Sequence, residues 1–365
     1  MTAWNSESIE WLRRNALAQG FALAGVASAD EDAATASRFE AWIDAGRSGE
    51  MHYLARRNDA GALLRRSART AMPWAQSVIV CALNYNMGGP RSIDPAPANT
   101  GWIARYAWTG TLDGHPLDYH DDLLRRLRAL EATLPPCQSR CYVDTGPILE
   151  RDFAARAGIG WIGKNTCVLN QQLGSWLLLG VIVTSLPIET AVTLAPDRCG
   201  SCTRCIDACP TDALLGDRRM DASLCISYLT IEKKGDIPAD LSEKTGRQVF
   251  GCDICQDVCP WNRHAPIATH PHLKRRDELI NPSLEWLASL HAPAFKREFA
   301  GSPLERTKRK RLQRNVAIAM GNSADPTHIP RLEDWEKNAE SPAKEAAAWA
   351  LHKLRSASIE PDPHA

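Results

Sequence analysis

No apolar run in these 365 residues is long enough to cross a bilayer; Trp176 to Val183 is apolar but short. No secretory leader is visible either, because Met1 to Arg14 reads as the start of an amphipathic helix. An oxidised, disulfide-stapled reading of the cysteines therefore has no support. Charge of one sign is missing as well: 43 Lys and Arg offset 43 Asp and Glu, so net charge points to no partner and only local clusters can. No nucleotide site survives inspection. Gly158-Ile-Gly160-Trp-Ile-Gly163 fits a dinucleotide fingerprint, but a helical pattern precedes it and a strand pattern follows, the reverse of the required order. The same glycines with Lys164 resemble a P-loop, but Asn165 stands where Ser or Thr must meet magnesium.

What the chain does have is cysteine, 12 residues, eight of them between Cys199 and Cys259. Cys199-Gly-Ser-Cys202-Thr-Arg-Cys205-Ile-Asp-Ala-Cys209-Pro matches the bacterial ferredoxin run, whose fourth cysteine serves the other cluster of a pair. The second run, Cys252-Asp-Ile-Cys255-Gln-Asp-Val-Cys259-Pro, has Val249 where its first cysteine belongs, and Cys225 is available to replace it. The spacing thus assigns Cys199, Cys202, Cys205 and Cys259 to one 4Fe-4S cluster, and Cys209, Cys225, Cys252 and Cys255 to a second. Zinc pairs two C-x2-C hooks and calls for neither a third cysteine nor the trailing proline. Cys81, Cys137, Cys141 and Cys167 lie outside the runs and read as core thiols.

Around this stretch the pattern is α+β. Helices are expected at 6–19, 33–45, 117–134 and 148–157, and strands at 21–26, 77–83, 140–143 and 175–184. Residues 86–101 read as a loop, and Asp144-Thr-Gly-Pro147 as a turn. After the clusters come helical patterns at 283–291, 303–320, 329–339 and 342–356, paired like a helical repeat. Three segments follow: 1–190, 191–265 and 266–365. Glu305 to Asn315 is densely basic, which is either a solvated face or a phosphate-binding one. Helical spacing groups Arg306, Lys310 and Arg314 as its nucleic-acid contacts.

Several long motifs carry a resemblance. Asp144-Thr-Gly-Pro-Ile-Leu-Glu-Arg151, Gly160-Trp-Ile-Gly-Lys-Asn-Thr-Cys167, Leu173-Gly-Ser-Trp176, Cys225-Ile-Ser-Tyr-Leu-Thr-Ile-Glu232 and Gly251-Cys-Asp-Ile-Cys-Gln-Asp-Val-Cys-Pro-Trp-Asn262 are similar to those of the epoxyqueuosine reductase family. The likeness runs from Met51 through the basic segment. It implies a cytoplasmic, monomeric oxidoreductase of three parts: a cobalamin-binding α/β domain related to reductive dehalogenases, a ferredoxin-like two-cluster domain, and a HEAT-like helical domain that grips tRNA. The family removes the epoxide oxygen of epoxyqueuosine at the tRNA wobble position, with electrons from an external donor. Asp144 falls on the family's proton donor. Tyr53, Arg57, Tyr106, Lys164, Asn165, Ser175 and Ser227 are the implied cobalamin contacts, and the second cluster is expected nearer the cobalt. Asp113-x-His115-x-x-Asp118 lacks the glycine of a cobalamin-ligating D-x-H-x-x-G motif, so no side chain is expected on the lower cobalt face. Thr109 to Leu117 is longer than the family pattern leads one to expect. A dehalogenase-like enzyme and an electron carrier for a separate partner are the alternative readings. The first predicts a leader peptide and no basic tail; the second predicts no uptake of cobalamin.

Overall fold

The computed structural model describes residues 2–357; the last eight residues of the third segment, and Met1, lie outside the described residues. Its centre is a four-stranded sheet in the spatial order Leu23–Ser28, Ser77–Asn84, Leu177–Thr184, Ser139–Tyr142, every pairing antiparallel. All eight residues of Ser77–Asn84 are buried, which explains its unbroken apolar run. Side chains alternate between the two faces. Ile79, Cys81 and Leu83 meet Ile9, Leu12, Leu123 and Leu127 of the helices Ser6–Ala18 and Tyr119–Glu131. Val78, Val80 and Ala82 meet Phe153 and Ala154 of the helix Glu150–Arg156. Cys81, Cys137 and Cys141 belong to the first of these cores.

The glycine-rich stretch that imitates nucleotide motifs becomes a hairpin, Trp161–Ile162 paired with Val168–Leu169. Within residues 109–117 lies a short strand, Thr109–Thr111, paired antiparallel with Leu273–Arg275. The cluster stretch contains two short helices, Arg204–Asp207 and Ile254–Asp257, each starting inside a cysteine run. Val249, at the vacant cysteine position, is fully buried in the strand Gln248–Phe250. That strand pairs in parallel with Trp102–Ile103. A thiol there would face an apolar core, whereas Cys225 heads the helix Ile226–Ile231 beside it.

The C-terminal helices are Leu284–Ser289, Ala292–Phe299, Lys308–Asn322, Ile329–Asn338 and Ala343–Ala357. Lys308–Asn322 is central. Its Val316, Ala317, Ile318, Ala319 and Met320 are buried, and Gly321 approaches the Ala350 backbone so closely that a Cβ would stand 2.8 Å from it. One apolar cluster joins these helices to Tyr228, Leu229 and Phe250, so the core is continuous across residue 265. The basic segment is not one helix. Pro303–Thr307 is a 3-10 turn, and Lys308 follows with φ of 58°, a left-handed joint that swings Arg306 away from the helix behind it.

Candidate active site

The strand Ser139–Tyr142 ends in a tight turn in which Thr145 N donates to Val143 O at 2.6 Å. Asp144 takes φ of 54° there, a strained region that Asp tolerates better than most residues. The turn throws the carboxylate out of the sheet, with 52% of the side chain exposed. Arg65, itself buried, clamps the turn by donating to Gly146 O and Tyr53 O, each at 2.9 Å.

Two groups approach Asp144, and Arg306 stands behind them. Tyr119 donates its hydroxyl to Oδ2 at 2.5 Å, the length of a charge-assisted bond. His120 Nε2 lies 3.5 Å from the same oxygen, while His120 Nδ1 lies 2.8 Å from Asp118 Oδ1. Arg306 Nη2 reaches Asp118 Oδ2 at 3.0 Å, and its guanidinium carbon stands 5.8 Å from the centre of the Tyr119 ring. Burial pushes Asp118 up, but hydrogen bonds from the ring and backbone of His120, with the Arg306 charge, outweigh it and hold the carboxyl below its ordinary range. Burial, then the negative charge of Asp144, pushes the Tyr119 hydroxyl well up, so it stays a donor. Tyr106 packs edge-on against Tyr119. Glu150 sits behind, its Oε1 buried without a partner. Burial and the nearby Asp144 charge push the Glu150 carboxyl up to about 8.

The seven cysteines of the two runs and Cys225 come together as two groups. Cys205 neighbours Cys199 and Cys202, and Cys259 neighbours Cys205 and Cys199. Cys225 neighbours Cys209, Cys252 neighbours both, and Cys255 neighbours Cys252 and Cys225. Among the described residues no three such side chains converge tightly enough for a single ion. A cube fits the grouping better, since it keeps its four sulfurs a cluster's width apart. Backbone amides supply the charge compensation a buried thiolate needs: Ser227 and Tyr228 N–H point to Cys225, Ile254 N–H to Cys252, and Trp261 N–H to Cys259.

The remaining sequence-derived residues divide. Tyr53 is 46% exposed beside Asp144 and Arg306. Asn165 is buried with an unpartnered Nδ2, which suits a site awaiting an acceptor. Ser227 is half-buried and gives its amide to Cys225. Arg57 instead pairs with Glu40 and donates to Gly61 O at 2.8 Å. Lys164 Nζ is taken up by Gly200 O at 2.8 Å. Ser175 is 3% exposed, enclosed by Gln256 and Asn262 at 2.8 and 2.9 Å, so its hydroxyl braces the sheet against the cluster unit.

The basic face needs correction. Arg314 is fully buried and cannot meet a phosphate, since its guanidinium is consumed by the Leu229, Lys233 and Gly235 carbonyls. Arg306 turns to Asp118, and Lys310 is exposed and paired with Glu340. Lys308, Arg309 and Lys310 are what the helix presents to solvent or half-presents. Cys167 is no plain core thiol either: it is half-buried, and the neighbouring Cys255 side chain, with the Arg151 charge, holds its thiol below the ordinary range against the cost of burial. Tyr119, His120, Asp118 and Arg65 escaped sequence reasoning. The only signal was the run Asp118-Tyr-His120 just after residues 109–117.

A family model described as 4Fe-4S double cluster binding domain matches residues 198–262, and one described as Epoxyqueuosine reductase QueG, DUF1730 matches residues 65–145. The epoxyqueuosine reductase of Pseudomonas aeruginosa is 37% identical over 325 residues, covering 87% of this chain and 86% of that one. That of Synechocystis sp. is 40% identical over 305 residues, covering 80% and 98%. Among solved structures, an epoxyqueuosine reductase with a tRNA-Tyr epoxyqueuosine-modified tRNA stem loop superposes with a TM-score of 0.82 at 29% identity, over 98% of this chain and 96% of that one. The enzyme from Streptococcus thermophilus gives 0.80 at 29% identity, over 97% and 91%. With relatives this similar along nearly their whole length, the chain belongs to the epoxyqueuosine reductase family.

Proposed function

We propose that this protein reduces epoxyqueuosine to queuosine in tRNA, using two 4Fe-4S clusters and cobalamin. The observation that carries the reading is the half-exposed Asp144 carboxylate, held by the Tyr119 hydroxyl with His120 Nε2 3.5 Å away, in a chain of this family. Cys199, Cys202, Cys205 and Cys259 hold one cluster, and Cys209, Cys225, Cys252 and Cys255 the other. The second lies nearer the cofactor, because Cys225 heads the helix whose Tyr228 hydroxyl accepts from Glu50 N at 2.8 Å, next to the Tyr53 segment. The residues present fit a large ligand with a polar rim: Asn165 Nδ2 and Glu150 Oε1 lack protein partners, and Tyr53 lies open beside Asp144. When bound, cobalamin supplies a strongly reducing, nucleophilic cobalt.

Removing an epoxide oxygen as water takes two electrons and two protons. Asp144 carries the proton given to the departing oxygen. Tyr119 fixes the Asp144 oxygen by its hydrogen bond. His120, oriented through Nδ1 by Asp118, presents Nε2 to Asp144 and returns a proton to it. The hydrogen bonds from His120, and then the Arg306 charge, keep Asp118 ionised, and Asp118 in turn fixes the imidazole. Arg65 prevents the strained turn from relaxing. The substrate's phosphates lie along Lys308, Arg309 and Lys310, the electrons come from an external one-electron donor, and the enzyme works as a monomer in the cytoplasm, where its tRNA is. Among the described residues no helix is long and apolar enough to cross a membrane.

The test is conversion of an epoxyqueuosine-bearing tRNA stem loop by anaerobically reconstituted protein with a chemical reductant, read as loss of one oxygen mass from the nucleoside. Conversion that depends on added cobalamin is expected. No conversion, or equal conversion without cobalamin, refutes the reading.

A further inference from the structure

The cluster unit carries a depression of about 420 Å³ that shares no lining residue with the surroundings of Asp144. It lies where the two short helices Arg204–Asp207 and Ile254–Asp257 touch. Ala208 and Val258, which line it, immediately precede Cys209 and Cys259. The surface is thus one residue from a thiol of each group. Part of the lining comes from a distant place, the loop at 86–101, which contributes Arg91 and Ile93. That loop is riveted down. Buried Arg105 stacks on Trp108 and Trp176, 5.2 and 4.4 Å from their ring centres, and donates to Asn86 Oδ1 at 2.8 Å and Pro90 O at 3.3 Å. Asp257, whose side chain is 1% exposed, accepts from Ser92 N and Ser92 Oγ, both at 2.7 Å. The rim therefore exists before anything docks.

The rim is basic. Arg91, Arg204 and Arg263 are all exposed. Arg91 is paired with Asp94 at 2.6 Å, but among the described residues neither the Arg204 nor the Arg263 side chain has a hydrogen-bond or ion-pair partner. The exposed acid of the lining, Asp207, accepts from Thr203 Oγ1 at 2.7 Å. Ile93 adds an exposed apolar side chain.

We propose that this depression docks an acidic one-electron carrier protein, whose acidic face meets Arg204 and Arg263 and whose apolar contact is Ile93. This rests on the ligand sets and the external donor proposed above. Electron transfer falls steeply with distance, so a carrier has to dock beside cluster ligands, and backbone next to one ligand of each set is offered here. Each docking moves one electron: the carrier is oxidised by one, a cluster is reduced by one, and no bond forms or breaks. Two dockings supply the two electrons that removal of the oxygen consumes. A shallow contact with a small apolar part and a charged rim suits a transient encounter. Bare arginines also attract phosphate, but Ile93 has nothing to meet on a phosphate backbone.

The experiment mixes reconstituted holoenzyme, wild type or Arg204→Glu/Arg263→Glu, anaerobically with reduced plant-type ferredoxin, an acidic 2Fe–2S carrier. Rapid-freeze electron paramagnetic resonance separates the two kinds of centre and gives the transfer rate across a salt series. Wild type should be fast at low salt and slow as salt rises. The double variant should be about 10- to 100-fold slower at low salt, with a flattened salt dependence. Its iron content, its reduction by a photoreduced neutral deazaflavin and its affinity for a tRNA stem loop should stay at wild-type values. Arg204→Gln/Arg263→Gln, which removes charge without reversing it, should fall between, and decides the matter if the Glu variant loses iron. Wild-type transfer rates in the variants, or a wild-type rate indifferent to salt, overturn the proposal. Lost stem-loop affinity with ferredoxin transfer intact overturns it too, making the face a nucleic-acid surface. Failure to convert epoxyqueuosine while transfer proceeds is a separate result, which sinks the catalytic reading alone.

Discussion

Arg314 offers the sharpest separation of packing from recognition. It belongs to the most basic stretch of the chain, yet it is 0% exposed. Its Nη1 donates to Lys233 O at 2.8 Å and Gly235 O at 2.5 Å, and its Nη2 to Leu229 O at 2.6 Å. Leu229 belongs to the helix Ile226–Ile231 and Lys233 and Gly235 to the chain just past its end, so Arg314 ties that helix to the segment following it. Burial, and then the neighbouring Arg311 charge, pushes the Arg314 guanidinium down to about 10. By the usual conversion, a drop from 12.5 to about 10 costs about 3 kcal/mol, which Arg314→Met would recover. The same change strands three carbonyls at about 1–3 kcal/mol each, or about 6 kcal/mol together. The net loss is about 3 kcal/mol, or about 6–12 °C in Tm at the ~2–4 °C per kcal/mol of larger domains. Thermal unfolding of the reconstituted protein measures it. In parallel, tRNA affinity across a salt series should leave the slope of Arg314→Met at its wild-type value. Replacing Lys308, Arg309 and Lys310 by Gln should do the opposite, holding Tm and lowering the slope by up to about three units. An Arg314→Met protein with wild-type Tm and a reduced salt slope refutes the reasoning.

Asp144→Asn keeps a side chain suited to the left-handed turn but cannot supply the proton; turnover should fall about 10²–10⁴-fold while cluster and cobalamin spectra hold, and near-normal turnover reduces Asp144 to a turn residue. Cys225→Ser should lower iron content toward one cluster per chain, whereas full iron content means that another residue completes the second set. Glu150 is held up at about 8 in the folded protein against 4.5 when free, so between those values the folded state keeps a proton the unfolded chain has released, and stability declines as pH rises. Glu150→Gln removes that decline, and its Tm advantage over wild type should grow from pH 5 to pH 8.5; parallel Tm profiles contradict the assignment.

The parts of this protein legible in its sequence are those written in short-range spacing. Cys199 to Cys209 is a loop whose geometry follows from consecutive residues, and the strand Ser77–Asn84 announces its burial on both faces by carrying no polar alternation. Even the vacancy at Val249 was readable, though its cause, a strand pairing with Trp102–Ile103, was not. The surroundings of Asp144 come from three distant places: the turn at 144–147, the start of the helix Tyr119–Glu131, and Arg306 in the 3-10 turn. No periodicity joins them. Arg314 misled because a charge among charges reads as solvent-facing, and only the tertiary demand of three carbonyls, in and just past the helix Ile226–Ile231, draws it inside. The joint at Lys308 misled in the same way, since a positive φ in a non-glycine residue leaves no mark in composition.

The continuous core across residue 265 has a consequence for biogenesis. Cys225 is seated by the helix Ile226–Ile231, and that helix rests on Lys308–Asn322, where Asn315 Nδ2 donates to Thr230 O at 2.8 Å and to Val249 O at 2.9 Å. A nascent chain released as far as Cys259 therefore already carries all eight thiols, but the shelf that aims Cys225 has not yet been synthesised. On the ligand sets proposed above, iron can be captured early only by the first set. The second set becomes a defined receptor only after another sixty or so residues have left the ribosome and docked, so cofactor loading and completion of the C-terminal helices are one late event.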